Sequence, residues 1–221
     1  MSTHMFKKIS FHLVSFAAGA LLAAGIISIL PQAIELNRSV YIPITIFIAV
    51  FFTIEKVFFR MHHHEYNEKE TIKLPLPFLL SGDALYNVVA GIAIASTFLV
   101  SVPTGIITTL TVFIHEIPHK LTDFNILLQL GNFKKRAVRF NILTGTTTFI
   151  GAFLGFYFGR NIEGILPILL ALTTANFIYL SLSDLLPELH HETKSKHSFS
   201  HTVPFFLGAL LVIILTSVIK G

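Results

Sequence analysis

Long apolar segments separated by short polar connections run along nearly the whole chain. A helix needs about 20 mostly apolar residues to cross a bilayer. Seven segments meet this requirement, at residues 10–30, 40–59, 77–100, 104–130, 138–158, 163–187 and 203–219. The connections are short except around 61–76 and 188–202. The pattern therefore predicts an all-α polytopic membrane bundle of seven transmembrane helices, with residues 1–221 forming a single transmembrane domain.

Composition agrees with a membrane protein and narrows the chemistry. The chain is 53% hydrophobic and 13% charged, whereas a soluble domain averages about 25% charged residues. Cysteine is absent, so a metal ion would be held by imidazole, carboxylate, amide or water rather than by thiolate. Nothing in the sequence indicates a nucleotide or nucleic-acid site, and the lipid bilayer is the expected partner.

The basic residues favour one orientation in the membrane. Cytoplasmic loops carry an excess of Lys and Arg, and most of the 16 basic residues fall on the side of the amino terminus. They are Lys7, Lys8, Lys56, Arg60, Lys69, Lys73, Lys134, Lys135, Arg136, Arg139, Lys194 and Lys196. The other side holds Arg38, Arg160 and Lys220. We expect a protein of the cell membrane with its amino terminus in the cytoplasm, its carboxyl terminus outside and its first segment retained rather than cleaved.

The middle of the fourth segment contains two imidazoles and a carboxylate. Residues 115–120 read His-Glu-Ile-Pro-His-Lys, and on a helix His115 and His119 point the same way because they are four residues apart. Pro118 has no amide hydrogen and clashes with the carbonyl of Ile114, so we expect it to loosen the helix and free backbone oxygen. Ionisable groups inside a bilayer are costly and mark ion or proton paths. The hexad therefore predicts an intramembrane metal site, suited to Zn²⁺ and also to Fe²⁺ or Mn²⁺.

Other polar residues lie at membrane depth. Asp83 and Asn87 are four residues apart on the third segment and share a helix face. Because the third and fourth helices run antiparallel, Asn87 comes to the depth of the two histidines. Asp123 continues the stripe of the histidines, and Asn141 opens the fifth segment. Asp83 also has a plainer interpretation, as a residue near the cytoplasmic end of its helix that meets the interface.

Histidines are also concentrated in the two longer polar connections. They include His62, His63 and His64 in the first connection and His190 and His191 in the second. Neutral imidazole binds borderline metal ions, so we predict that these cytoplasmic loops capture metal. The alternative is a solvated polar loop that is merely rich in histidine.

The sequence His-Glu-x-x-His is also the zinc-protease signature, in which the Glu activates a water molecule. An intramembrane metalloprotease would need a third ligand, and the candidates Asp184 and Glu188 stand at the end of their span rather than at matching depth. Pro118 would also distort a helix that must hold its ligands rigidly. We therefore predict a protein that is not an enzyme.

Several motifs together resemble the ZIP (Zrt/Irt-like) family of metal-ion transporters. The most specific is His115-Glu116-Ile117-Pro118-His119 with Asp123-Phe124, which is similar to the family's HEIPHE…DF helix. Gly82-Asp83, Asn87 and Gly91 follow the GD…HNxxDG helix, and Tyr179 with Asp184-Leu185-Leu186-Pro187-Glu188-Leu189-His190 resembles the seventh helix. The resemblance covers nearly the whole chain.

This resemblance implies the family's helical fold, homodimers, and movement of divalent metal towards the cytoplasm with no required cofactor. By position it implies the ligands Asn87, His115, Glu116 and His119, with Asn141 as a weaker second-site candidate. Asp83 and Asp123 are further weaker candidates for metal binding.

The chain departs from the family pattern in ways that affect the expected site. By the resemblance we expect the family's first helix to be either truly absent or lost to a misplaced start codon. Tyr86 and Ala90 stand where the family pattern has a His and an Asp ligand. Lys120 replaces a Glu, and it is expected to pair with Glu116 four residues before it. A fixed positive charge disfavours a second metal ion nearby. We therefore expect zinc transport through a single site, or alternatively a degenerate homologue that binds metal or a partner without transport.

Overall fold

The computed structural model describes residues 3–60, 76–129, 131, 133–185 and 199–220. All regular elements within these residues are helices, which confirms the all-α fold. The proposed metal-capture residues of the polar loops, His62, His63, His64, His190 and His191, lie outside the described residues, as does Glu188.

The helices follow the apolar segments of the sequence. The first segment contains α1 (Thr3–Ala23), a π-helical stretch (Ala24–Ile29) and α2 (Leu30–Leu36) in one continuous run. There follow α3 (Tyr41–Arg60), α4 (Leu76–Val100), α5 (Val102–Gln129) and α6 (Lys134–Asn161). The last segments contain α7 (Ile165–Tyr179), which continues into a second π-helical stretch (Leu180–Leu185), and α8 (Phe199–Lys220). Helix α5 remains continuous through Pro118.

Five helical stretches among the described residues are long and apolar enough to cross a membrane. They are His12–Leu36, Leu79–Val100, Lys134–Asn161, Ile165–Ser183 and Thr202–Ile219. Large apolar side chains also stand on the outside of the bundle, such as Phe149 at 76% exposure and Phe153 at 65%, and such a surface suits lipid better than water. The chain is thus an all-α polytopic membrane bundle. The spans proposed at 40–59 and 104–130 are not among the five and stay predictions.

Helices α4 and α6 pack closely because glycine lies at the points where they touch. A Cβ atom added at Gly91 would lie 2.0 Å from the backbone oxygen of Thr148, and one added at Gly151 would lie 1.9 Å from the backbone oxygen of Val88. Small residues are the usual means by which membrane helices approach at backbone distance. Helix α5 packs against α4 and α6, so these three helices form one unit.

A second close crossing joins the two ends of the chain. Added Cβ atoms at Gly19 and Gly208 would lie 1.9 Å from the backbone oxygen of Phe205 and 2.0 Å from that of Phe16. Helices α1 and α8 therefore meet backbone to backbone, and α3 packs mainly against α7. Because α3 packs against α7 rather than against α4 and α5, a space remains between α3 and the α4–α5 pair.

Candidate metal centre

A cavity of about 650 Å³ fills the space between α3 and the α4–α5 pair. Its wall is mostly apolar and is formed by residues of α1, α3, α4, α5 and α7 and of the second π-helical stretch. Its polar residues lie in two groups. These are Tyr86, His115, His119, Thr122 and Asp123 on α4 and α5, and Glu55, Asn176 and Tyr179 on α3 and α7.

Three acidic and imidazole side chains at the α4–α5 side are placed like metal ligands. The Nδ1 atom of His119 lies 3.3 Å from Oδ2 of Asp123 and 3.9 Å from Oδ1 of Asp83. One potential ligand atom from each residue lies within 4.8 Å of the others. Two atoms bonded to tetrahedral zinc at about 2.0–2.1 Å stand about 3.3–3.4 Å apart. Small side-chain movements therefore suffice for these three residues to hold one ion.

His115 adds a second imidazole one turn above His119. Its side chain is 1% exposed, and neither ring nitrogen has a hydrogen-bond partner among the described residues. Its ring centroid lies 5.7 Å from that of His119. A buried polar group without a partner costs about 1–3 kcal/mol. A metal ion bound where His115 lines the cavity would give its ring nitrogen the partner that the surrounding side chains do not provide.

Tyr86 forms an aromatic wall beside both imidazoles. Its ring centroid lies 5.5 Å from that of His115 in an edge-on contact and 5.2 Å from that of His119 in a stacked one. Tyr86 stands where the motif resemblance places a His ligand. The phenol ring limits how the two imidazoles can turn, so it orients the candidate ligands.

Asn87 is buried, at 1% exposure, but its amide is engaged inside the bundle. Its Nδ2 donates to the backbone oxygen and to Oδ1 of Asp83, both at 2.8 Å. Its Oδ1 accepts a hydrogen bond from Thr148 at 3.1 Å. Asn87 is not among the cavity-lining residues. In this arrangement Asn87 holds Asp83 in place, as residues behind metal ligands commonly do.

Lys120 is bound more closely to Asp83 than to Glu116. Its Nζ lies 2.6 and 2.7 Å from the two carboxylate oxygens of Asp83, 3.3 Å from Oγ1 of Thr144 and 3.4 Å from Oε1 of Glu116. The expected pair with Glu116 is thus present, but it is the longer contact. The four-residue spacing on α5 predicted Glu116 as the ion-pair partner of Lys120. Asp83 is a closer partner, and it could not be predicted from this spacing because it lies on α4.

The remaining two candidates, Glu116 and Asn141, do not line the cavity, and neither does Asp83. Both carboxylate oxygens of Glu116 are buried, and neither accepts a hydrogen bond within the part of the chain that the structure describes. Nδ2 of Asn141 donates to the backbone oxygen of Lys120 at 2.9 Å, which ties α6 to α5. The structure therefore brings together Asp83, His119 and Asp123, with the ring of His115 next to that of His119. Asn87, Glu116 and Asn141 are not part of this cluster.

The second polar group of the cavity was not anticipated from the sequence. The hydroxyl of Tyr179 donates to the carboxylate of Glu55, and the rings of Phe51 and Tyr179 lie 6.0 Å apart. Glu55 and Tyr179 are 124 residues apart in the chain. No local pattern signals such a pairing, because it depends on α3 packing against α7.

The fold and the site define a helical membrane protein with imidazole and carboxylate side chains gathered at an internal cavity. The sequence model of the family described as "ZIP Zinc transporter" matches residues 60–216. The chain belongs to this family, which confirms the resemblance found in its motifs.

Several curated proteins that are named as zinc transporters are similar to the chain. It is 34% identical over 152 residues to "Zinc transporter foi" of Drosophila melanogaster, covering 69% of this chain and 21% of that protein. It is 36% identical over 129 residues to human "Zinc transporter ZIP6", covering 58% and 17%. It is 41% identical over 115 residues to mouse "Zinc transporter ZIP4", covering 52% and 17%. The chain thus spans about a fifth or less of the length of these relatives.

Proposed function

We propose that the chain moves divalent metal ions, zinc foremost, across a membrane through a single intramembrane site. The observation that carries this proposal is the cluster of Asp83, His119 and Asp123 between α4 and α5. His119 and Asp123 also line the cavity, together with His115. Imidazole with carboxylate is a donor set that suits Zn²⁺ and also Fe²⁺ or Mn²⁺. The names of the relatives support zinc as the cargo.

The residues act by replacing the water shell of the ion. His119 and Asp123 lie four residues apart on α5 and offer one nitrogen and one oxygen from the same helix face. Asp83 offers an oxygen from α4, and His115 a further nitrogen one turn above. In their ionised forms the carboxylates of Asp83, Glu116 and Asp123 with the ammonium of Lys120 leave two negative charges, which one divalent ion balances. This charge balance supports one site rather than two.

The direction of transport follows from the proposed orientation. With the amino terminus in the cytoplasm, Asp83 and Asp123 lie towards the cytoplasmic ends of α4 and α5, and the His-rich connections lie on the same side. Metal then moves from outside, past His115, to the carboxylates and into the cytoplasm. The ion gradient drives this movement, and no cofactor is required. The protein works in the cell membrane as a homodimer, as the family resemblance implies.

A second candidate is metal binding without transport. The observation in its favour is the tight engagement of Asp83 by Lys120, together with the aromatic Tyr86 against both imidazoles. These contacts would hold α4 and α5 together and hinder passage of an ion. Flux and binding must therefore be measured on the same preparation.

Uptake of zinc into proteoliposomes tests the proposal. Wild type is compared with the double variant His115→Ala and His119→Ala, and with His12→Ala as a control that removes an imidazole outside the cavity. We expect flux in wild type and in the control, and background in the double variant. Equal, background-level flux in wild type and double variant would overturn transport. Zinc binding that persists in that wild-type sample and is lost in the double variant would support the second candidate.

A further inference from the structure

Lys120 engages a carboxylate that the proposed cargo also needs. Its Nζ contacts both oxygens of Asp83, at 2.6 and 2.7 Å. Asp83 is also the only contribution of α4 to the Asp83, His119 and Asp123 cluster. An ion bound by this cluster must take at least one of those oxygens. A metal ion and the ammonium of Lys120 therefore compete for the same carboxylate.

Glu116 provides another place for this ammonium. Its carboxylate oxygens are buried, neither accepts a hydrogen bond from a described residue, and Oε1 lies 3.4 Å from Nζ of Lys120. Glu116 is therefore only loosely paired with Lys120, and a buried carboxylate is stabilised by a closer cation or hydrogen bond. Glu116 stands one helical turn before Lys120, so the flexible lysine stem reaches it by side-chain rotation alone. The distance to be closed is less than 1 Å, from 3.4 Å to the usual length of about 2.7–2.9 Å.

We propose that Lys120 is an internal competitor of the cargo, which passes from Asp83 to Glu116 when a metal ion takes Asp83. This inference rests on the proposed function, because the cargo is a divalent ion held by Asp83. In this exchange the positive charge of Lys120 moves away from the ion but stays paired. Glu116 thereby contributes to metal affinity without contacting the metal, and Lys120 lowers the affinity so that the ion can leave.

A purely structural role for Lys120 makes different predictions. If the lysine only ties α4 to α5, its removal loosens Asp83 and weakens metal binding. Glu116 would then affect binding to the same degree whether or not Lys120 is present. The two roles therefore predict opposite changes in metal affinity when Lys120 is removed. They also differ on whether the effect of removing Glu116 depends on the presence of Lys120.

Zinc affinity of purified protein in nanodiscs separates these roles. The variants are Lys120→Met, Glu116→Gln and the double variant, with binding that persists in His119→Ala subtracted from each. We expect Lys120→Met to bind at least about tenfold tighter than wild type, and Glu116→Gln to bind about tenfold weaker. In the Lys120→Met background, Glu116→Gln should change the affinity less than about twofold. Lys135→Met, which removes an exposed lysine from α6, is the charge-matched control and should bind like wild type.

Weaker binding by Lys120→Met, or an equal effect of Glu116→Gln in both backgrounds, would overturn the inference while leaving the proposed function intact. If Lys120→Met does not fold, Lys120→Gln keeps a donor to Asp83 without the charge, and it is expected to bind more tightly than wild type. Absence of zinc binding at this site in folded wild type and folded variants alike would overturn the proposed function and this inference with it.

Discussion

Replacing Asn87 with Asp distinguishes a metal ligand from a residue that holds a ligand. In the structure the amide of Asn87 donates two hydrogen bonds to Asp83, one of them to a carboxylate oxygen 2.8 Å away. The substitution removes both donors and sets a second carboxylate at that distance. A neutral hydrogen bond contributes about 0.5–1.5 kcal/mol and one to a charged group about 1.5–3 kcal/mol. The loss of both is therefore expected to cost about 2–4.5 kcal/mol.

The effect on metal binding follows from the displaced Asp83. Losing a residue that orients a metal ligand commonly reduces affinity by about 10–100-fold. We expect zinc binding by Asn87→Asp to weaken within that range, and the melting temperature of the protein to fall. Equilibrium zinc binding and thermal unfolding of the purified protein measure the two effects. Asn161→Asp makes the same chemical change at an exposed helix end, and it should leave zinc affinity unchanged.

The opposite sign would refute this reasoning. If Asn87 itself coordinates the ion, a carboxylate in its place is the stronger ligand and zinc affinity rises. Tighter binding with an unchanged melting temperature would therefore return Asn87 to the ligand set. It would also mean that the hydrogen bonds to Asp83 do not matter for the site.

Further expectations concern packing, the far side of the cavity and the bound ion. Gly151→Ala forces α4 and α6 apart and should cost about 1–3 kcal/mol, whereas Gly145→Ala, with nothing within 4 Å, should melt no lower than wild type. Tyr179→Phe removes the hydrogen bond to Glu55 and should lower stability by about 1.5–3 kcal/mol, read from thermal unfolding. Zinc at 100 times its dissociation constant should stabilise wild type by about 2.7 kcal/mol, and it should not stabilise His119→Ala through this site. Equal melting temperatures of Gly151→Ala and Gly145→Ala would contradict the first expectation, and a Tyr179→Phe variant as stable as wild type would contradict the second. Stabilisation of His119→Ala by zinc to the same extent as wild type would contradict the third.

Features that depend on spacing along one helix were predictable from the sequence. The lengths of the apolar segments predicted the helices, and the four-residue interval between His115 and His119 placed both imidazoles on one face. The same interval links His119 to Asp123, whose atoms lie 3.3 Å apart in the structure. These relations hold whatever the neighbouring helices do.

The contacts between side chains of different helices depend on how the helices are rotated and packed against one another, and the sequence pattern does not determine this. Asp83 and Asn87 share a face of α4, and periodicity does not decide which of them approaches His119. The motif resemblance favoured Asn87, whereas the structure presents Asp83 towards His119 and holds it there with Asn87. The closer contact of Lys120 with Asp83 than with Glu116 also depends on packing, because only the packed bundle brings Asp83 of α4 within reach of Lys120.

The central claim is that His119, Asp123 and Asp83 together hold the transported ion. Anomalous diffraction at the zinc edge, from crystals grown with zinc, locates the ion directly. We predict one strong peak about 2.0–2.2 Å from ligand atoms of all three residues, with Lys120 turned to Glu116. A zinc peak that contacts none of the three, with Lys120 still on both oxygens of Asp83, would contradict the account.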